Sequence, residues 1–122
     1  MKRILIVDDE EEICDFLKDL LQGAGYEVKT AISGEAAITQ YFGIDFDLAI
    51  VDLKLSTPMT GIDFVRQLKK KSPATKIIVV TGYIDAGLKH EAEQAGITHF
   101  AEKPGAINPQ TMLPLVKKVL GT

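Results

Sequence analysis

The sequence lacks what several protein classes require. Its 122 residues include a single cysteine, Cys14, so no internal disulfide can form. It has no tryptophan and an aromatic share of only 7%, which leaves core building to aliphatic side chains. No apolar run approaches the roughly 20 residues that cross a bilayer, and the stretch after Met1-Lys2-Arg3 is too short for a signal peptide. A cytoplasmic address is the expectation. Basic residues are in deficit, 14 Lys and Arg against 17 Asp and Glu, with an acidic run from Asp8 to Glu12. A net charge of −3 speaks against direct nucleic-acid binding and offers nothing to a membrane surface. Linkers, repeats and low-complexity segments are also missing, so one domain over residues 1–122 is expected.

What is present alternates from end to end. Ile4-Leu5-Ile6-Val7, Leu48-Ala49-Ile50-Val51 and Ile77-Ile78-Val79-Val80 are continuous apolar runs, as expected for strands buried on both faces. Glu27 to Ala31 and His99 to Glu102 supply two more strands. Between them, Ile13, Phe16, Leu17, Leu20 and Leu21 recur at steps of three and four, which predicts a helix stopping near Gly23-Ala24-Gly25. Cys14 falls in that pattern and is read as core packing. Further helices are predicted over Glu35 to Tyr41 with Ser33 as cap, around Ile62, Val65 and Leu68, over Asp85 to Ala95, and over Pro109 to Leu120 with Asn108 as cap. The Asp85 to Ala95 segment has the thinnest apolar face, and Pro114 is expected to distort the early turns of the last helix. Five βα units with short connections imply an α/β fold: a doubly wound, flavodoxin-like (βα)5 with a five-stranded parallel sheet in the order 2-1-3-4-5.

In such sheets, chemistry gathers beyond the carboxyl ends of the strands where the strand order reverses. Asp8-Asp9, Asp52, Thr81 and Lys103 stand at four of those ends. Strands one and three are neighbours at about 4.8 Å, which crowds three carboxylates into one space. A hard divalent cation relieves that crowding, and Mg²⁺ suits carboxylate and carbonyl oxygens with water retained. Thr81 brings a hydroxyl beside Asp52, and Lys103 reaches in from strand five. A carboxylate nucleophile, a metal, a hydroxyl and a cation around one point suit phosphoryl transfer to Asp52.

Taken singly, each residue has a plainer reading. Asp8 or Asp9 can cap a helix, Thr81 can be a satisfied hydroxyl, Asp52 can be a turn residue and Lys103 a solvated charge. The weight lies in four strands ending in groups suited to one reaction. His90 and His99 lack metal-ligand partners at suitable spacing and read as structural, as does the Lys69-Lys70-Lys71 helix end.

These residues resemble the receiver domain of two-component response regulators over nearly the whole chain. The likeness rests on Ile4-Leu5-Ile6-Val7-Asp8-Asp9-Glu10, Ala24-Gly25-Tyr26-Glu27-Val28, Asp47 to Leu53, Val79-Val80-Thr81-Gly82 and Phe100-Ala101-Glu102-Lys103-Pro104. The resemblance implies that Asp52 is the phosphoacceptor, served by a sensor histidine kinase or phosphotransfer protein. It makes Asp8, Asp9, Asp52 and the backbone carbonyl of Lys54 the Mg²⁺ set, with Asp9 a direct ligand. Thr81 and Lys103 would bind the phosphoryl group, and Thr81 and Phe100 would form the switch. It also implies a downstream target or output domain, or a phosphorylation-dependent dimer, at the Asp85 to Ala95 helix, strand five and the last helix. Enzymatic activity would be limited to self-phosphorylation and self-dephosphorylation. Lys103-Pro104 is a candidate cis bond.

Two positions depart from that family's pattern. Ser56 and Thr60 stand where a proline and a glycine are usual, while Pro58 and Gly61 fall later, so the loop after Asp52 holds one extra residue. Lys54 and Tyr83 occupy positions that tune phosphoryl lifetime, and their bulk would obstruct the hydrolytic water. Two other chemistries fit these residues less well. A phosphoaspartate hydrolase of the haloacid dehalogenase type needs a second Asp two residues after the nucleophile, where Lys54 stands. A flavodoxin needs a hydroxyl- and glycine-rich phosphate loop, where Asp8 to Glu12 would repel the phosphate.

Overall fold

A strand that is apolar at every position has no wet side, so it must be covered on both faces. The computed structural model describes residues 1–82 and 84–121, and it builds that arrangement. The chain runs β1 (Arg3–Val7), α1 (Glu11–Gly23), β2 (Glu27–Ala31), α2 (Gly34–Tyr41) and β3 (Leu48–Asp52). It continues through α3 (Gly61–Lys71), β4 (Lys76–Thr81), α4 (Ala86–Gln94), β5 (His99–Glu102) and α5 (Pro109–Leu120). The strands form one parallel sheet in the order β2-β1-β3-β4-β5, as the alternation of elements predicts.

Successive residues of each strand point to opposite faces, which divides the core in two. On one face, Leu5, Val7, Ala49, Val51, Ile77 and Val79 meet Ala37 of α2, Phe64, Val65 and Leu68 of α3, and Ala92 of α4. On the other, Ile4, Ile6, Leu48, Ile50, Ile78 and Val80 meet Cys14, Leu17 and Leu21 of α1 and Met112 and Val116 of α5. Burying a side chain such as Leu17 contributes about 1.5–3 kcal/mol. Among the described residues, no helix is long and apolar enough to cross a membrane.

Four helices start on side-chain caps. Ser33, Thr60, Asp85 and Asn108 accept the backbone N–H of Ala36, Asp63, Leu88 and Thr111, respectively. At α3 the cap is reciprocal, because Asp63 accepts the Thr60 N–H in return. α4 is shorter by one residue at each end than its sequence pattern suggests, because Asp85 and Ala95 serve as its caps. α5 runs unbroken through Pro114. The amide that Pro114 lacks would have reached back only to the first turn, so the expected distortion does not interrupt the helix. Gly25, at φ 98°, makes the turn after α1 that a side chain would strain.

Candidate functional site

The strand order decides which loop residues meet. β1 and β3 are neighbours, so the residue after Val7 and the last residue of β3 lie side by side. Those residues are Asp8 and Asp52, 2% and 5% exposed. Thr81 closes β4 and is 1% exposed. Lys103 follows β5, and its backbone N–H donates to the Thr81 carbonyl at 2.8 Å. The Lys103-Pro104 bond is cis, as expected.

The Lys103 ammonium gathers the acids. Its Nζ lies 2.8 Å from Asp8 Oδ2, 3.1 Å from Asp52 Oδ2 and 2.6 Å from Glu10 Oε2. Asp8 Oδ1 also accepts the Glu10 N–H at 2.9 Å, and Asp52 Oδ1 accepts the Lys54 N–H at 3.1 Å. Lys103 is thus shared among three carboxylates that lie close to one another. Burial pushes the Asp8 carboxyl up, against hydrogen bonds from Lys103 and Glu10 that favour its charge. Burial raises Asp52 likewise, aided by the nearby Asp9 charge and opposed by Lys54 and Lys103. Burial works against the charged Lys103 as well, but bonds to Asp8, Glu10 and Asp52 outweigh it and hold the ammonium protonated.

Among the described residues, Asp8, Glu10 and Asp52 offer carboxylate oxygens within 4.8 Å of one another, close enough to share a metal ion. All three donors are hard oxygens, the ligand type that a divalent cation such as Mg²⁺ takes. Asp9 is placed differently from the pattern's suggestion. Its Oδ2 accepts the N–H of Ser56 at 3.1 Å, which holds it at the rim beside the loop after β3. Glu10 stands in the trio instead. Its signal was its place two residues after Asp8, which returns the chain to the same side.

The loop after Asp52 spans residues 53–60 between β3 and α3. It closes where Gly61 passes over β3: a Cβ on Gly61 would lie 2.1 Å from the Asp52 carbonyl oxygen, so only glycine fits. The Gly61 N–H donates to the Leu53 carbonyl at 3.1 Å. Phe100 lies on β5 opposite Val79, half-buried against the α3–α4 side of the core, with Lys89 Nζ 5.9 Å from its ring centroid. Tyr83 lies outside the described residues.

With this geometry, the comparisons with known proteins agree. Residues 4–116 match the response regulator receiver domain family. The chemotaxis protein CheY of Thermotoga maritima is 34% identical over 119 residues, 97% of each chain. A CheY-like receiver domain structure from Methanospirillum hungatei aligns at a TM-score of 0.92 and 35% identity, covering 99% of this chain and 94% of that one. The response regulator TrrA of Thermotoga maritima, solved with Mg²⁺ and beryllium fluoride, aligns at 0.80 and 33%, covering 98% and 99%. The chain spans 22–23% of the length of the transcriptional regulatory proteins among its curated relatives. The strand order, the acids at the ends of β1 and β3, and a match over residues 4–116 place this chain among the response regulator receiver domains, signalling domains of two-component phosphorelays rather than classical enzymes.

Proposed function

We propose that Asp52 is the residue phosphorylated in this signalling role, by a sensor histidine kinase or a phosphotransfer protein in the cytoplasm. The observation that carries the reading is the Lys103 ammonium, held 3.1 Å from Asp52 and tied through its own backbone to Thr81. An Asp52 oxygen attacks phosphorus as the bond from phosphorus to the donor's imidazole nitrogen breaks, and the departing imidazole keeps that electron pair. Lys103 then turns from balancing carboxylates to balancing phosphoryl oxygens, and the Thr81 hydroxyl donates to them. Asp8, Asp9, Asp52 and the Lys54 carbonyl are the groups proposed to hold Mg²⁺, with Glu10 close enough to join them. When bound, Mg²⁺ supplies charge neutralisation at the phosphoryl oxygens. The TrrA structure with Mg²⁺ and beryllium fluoride supports this by similarity.

Residues 1–122 act in this reading as one receiver unit that itself contacts neither nucleic acid nor a membrane. Its output goes to a downstream target, an attached output domain or a phosphorylation-dependent second copy, through α4, β5 and α5. Lys54, and Tyr83 by its position in the sequence, would slow phosphoryl loss by screening the attacking water. Intact mass after incubation with Mg²⁺ and a small acyl-phosphate donor tests the assignment. Wild type gains one base-labile phosphoryl group, gains none when the metal is chelated beforehand, and Asp52→Asn gains none in either case. Labelling of Asp52→Asn at equal yield would contradict it.

A further inference from the structure

Glu35 is the second residue of α2 and lies outside the group of acids that Lys103 gathers, yet its carboxylate reaches the loop that follows Asp52. Oε1 accepts the Thr57 hydroxyl at 2.9 Å, and Oε2 accepts the Met59 N–H at 3.3 Å. Glu35 is held below its ordinary range, first by a backbone N–H of its own and then by the Thr57 hydroxyl and the Met59 N–H. Beside it, Gly34 leaves room for Met59: a Cβ on Gly34 would lie 2.7 Å from the Met59 sulfur. The loop is therefore fastened at successive points. Lys54 N–H binds Asp52, Ser56 N–H binds Asp9, Thr57 and Met59 bind Glu35, and Thr60 caps α3.

Glu35 clasps the segment from Thr57 to Met59, in the middle of the loop that the displaced Pro58 and Gly61 lead one to expect to be long. A longer loop has more ways to lie, and without an anchor its backbone groups would spend less time aimed at the site. We propose that Glu35 is a positioning residue for phosphoryl transfer: it clasps the lengthened loop so that Ser56 stays on Asp9 and the Lys54 backbone stays against Asp52. This inference rests on the phosphoacceptor reading. It assigns to α2 a part in setting the metal and phosphoryl site of this chain.

The test compares wild type, Glu35→Ala and Glu35→Gln by amide hydrogen exchange and by Mg²⁺ titration followed through amide shifts. A glutamine can still accept the Met59 N–H and donate to the Thr57 oxygen, so it should keep the loop close to wild type. In Glu35→Ala, exchange at Met59 and also at Ser56 should quicken about tenfold, as expected for loss of hydrogen bonds to a charged group. The Mg²⁺ concentration for half-saturation should rise several-fold, while Glu35→Gln restores it. Faster exchange at Met59 alone, with Ser56 and Mg²⁺ affinity unchanged, would reduce Glu35 to a local loop contact and overturn the proposal. If wild type shows no Mg²⁺ response, the metal reading fails, and unchanged Ser56 exchange in Glu35→Ala then overturns the Glu35 inference on its own.

Discussion

β3 buries all five of its residues, whereas β5, two places along the sheet, buries only Ala101 of its four. The helices differ in the same sense. α1 has thirteen residues and buries Cys14, Leu17 and Leu21, while α4 has nine and buries Ala92 alone. Among the described residues, the ties around α4 are light: Leu88 and Ala95 half-buried, Arg66 at 3.8 Å from Glu91 in the open, and Lys89 over the Phe100 ring. An exposed pair such as Arg66–Glu91 contributes about 0–1 kcal/mol. The acids that face chemistry are thus mounted on the firm part of the sheet, and the surface proposed to report it hangs on the loose part. Such a division suits a switch, because the site must hold geometry while the reporter must shift at small cost.

Core truncation should separate the two regions most strongly. Leu17→Ala, at a position 1% exposed, should cost about 2–5 kcal/mol in urea unfolding, whereas Leu88→Ala on α4 should cost about 1 kcal/mol. Equal losses would erase the proposed contrast. A second effect belongs to the firm side alone. Cys14 donates its S–H to the Asp8 carbonyl at 3.2 Å, and burial, with the Asp8 charge adding to it, pushes its thiol up to about 11 from 9.0. The unfolded thiol ionises as pH passes 9.0, while the folded one keeps its proton until about 11. Folding stability should therefore fall across that window by roughly 3 kcal/mol on account of Cys14. Cys14→Ala should flatten this part of the pH dependence, and parallel curves for the two proteins would contradict it. The smallest effect is on the loose side. Lys89→Ala should cost less than about 1 kcal/mol while visibly moving the Phe100 ring resonances.

Much of this was legible in the chain because the information was periodic or positional. Continuous apolar runs marked the buried strands, turn residues marked their ends, and the strand order then brought Asp8, Asp52 and Lys103 together without any long-range detail. Hydrogen bonds between distant side chains and loop amides carry no such pattern. Asp9 accepts the Ser56 N–H, 47 residues away, while Glu10 pairs with Lys103, and neither contact follows from spacing. Glu35 reads as an ordinary first-turn acid until Thr57, 22 residues on, folds back onto it. The displaced Pro58 and Gly61 point to a longer loop, but nothing in the chain marks the side chains that restrain it. The thiol of Cys14 read as plain packing, although it also bonds the Asp8 carbonyl.

The central claim is that phosphorylation at Asp52 is transmitted through Thr81 to Phe100 and α4. A phosphoryl group adds roughly two negative charges. It should draw the Thr81 hydroxyl toward the site and tighten the Lys103 contact, which leaves space that Phe100 can enter. Amide chemical shifts measured with and without Mg²⁺ and beryllium fluoride, as a phosphoryl mimic, test this most directly. In wild type the changes should spread from Asp52 through Thr81 to Phe100 and along α4, and Thr81→Ala should confine them to the loops after β1, β3 and β5. Wild-type changes restricted to those loops, with α4 unmoved, would contradict the account.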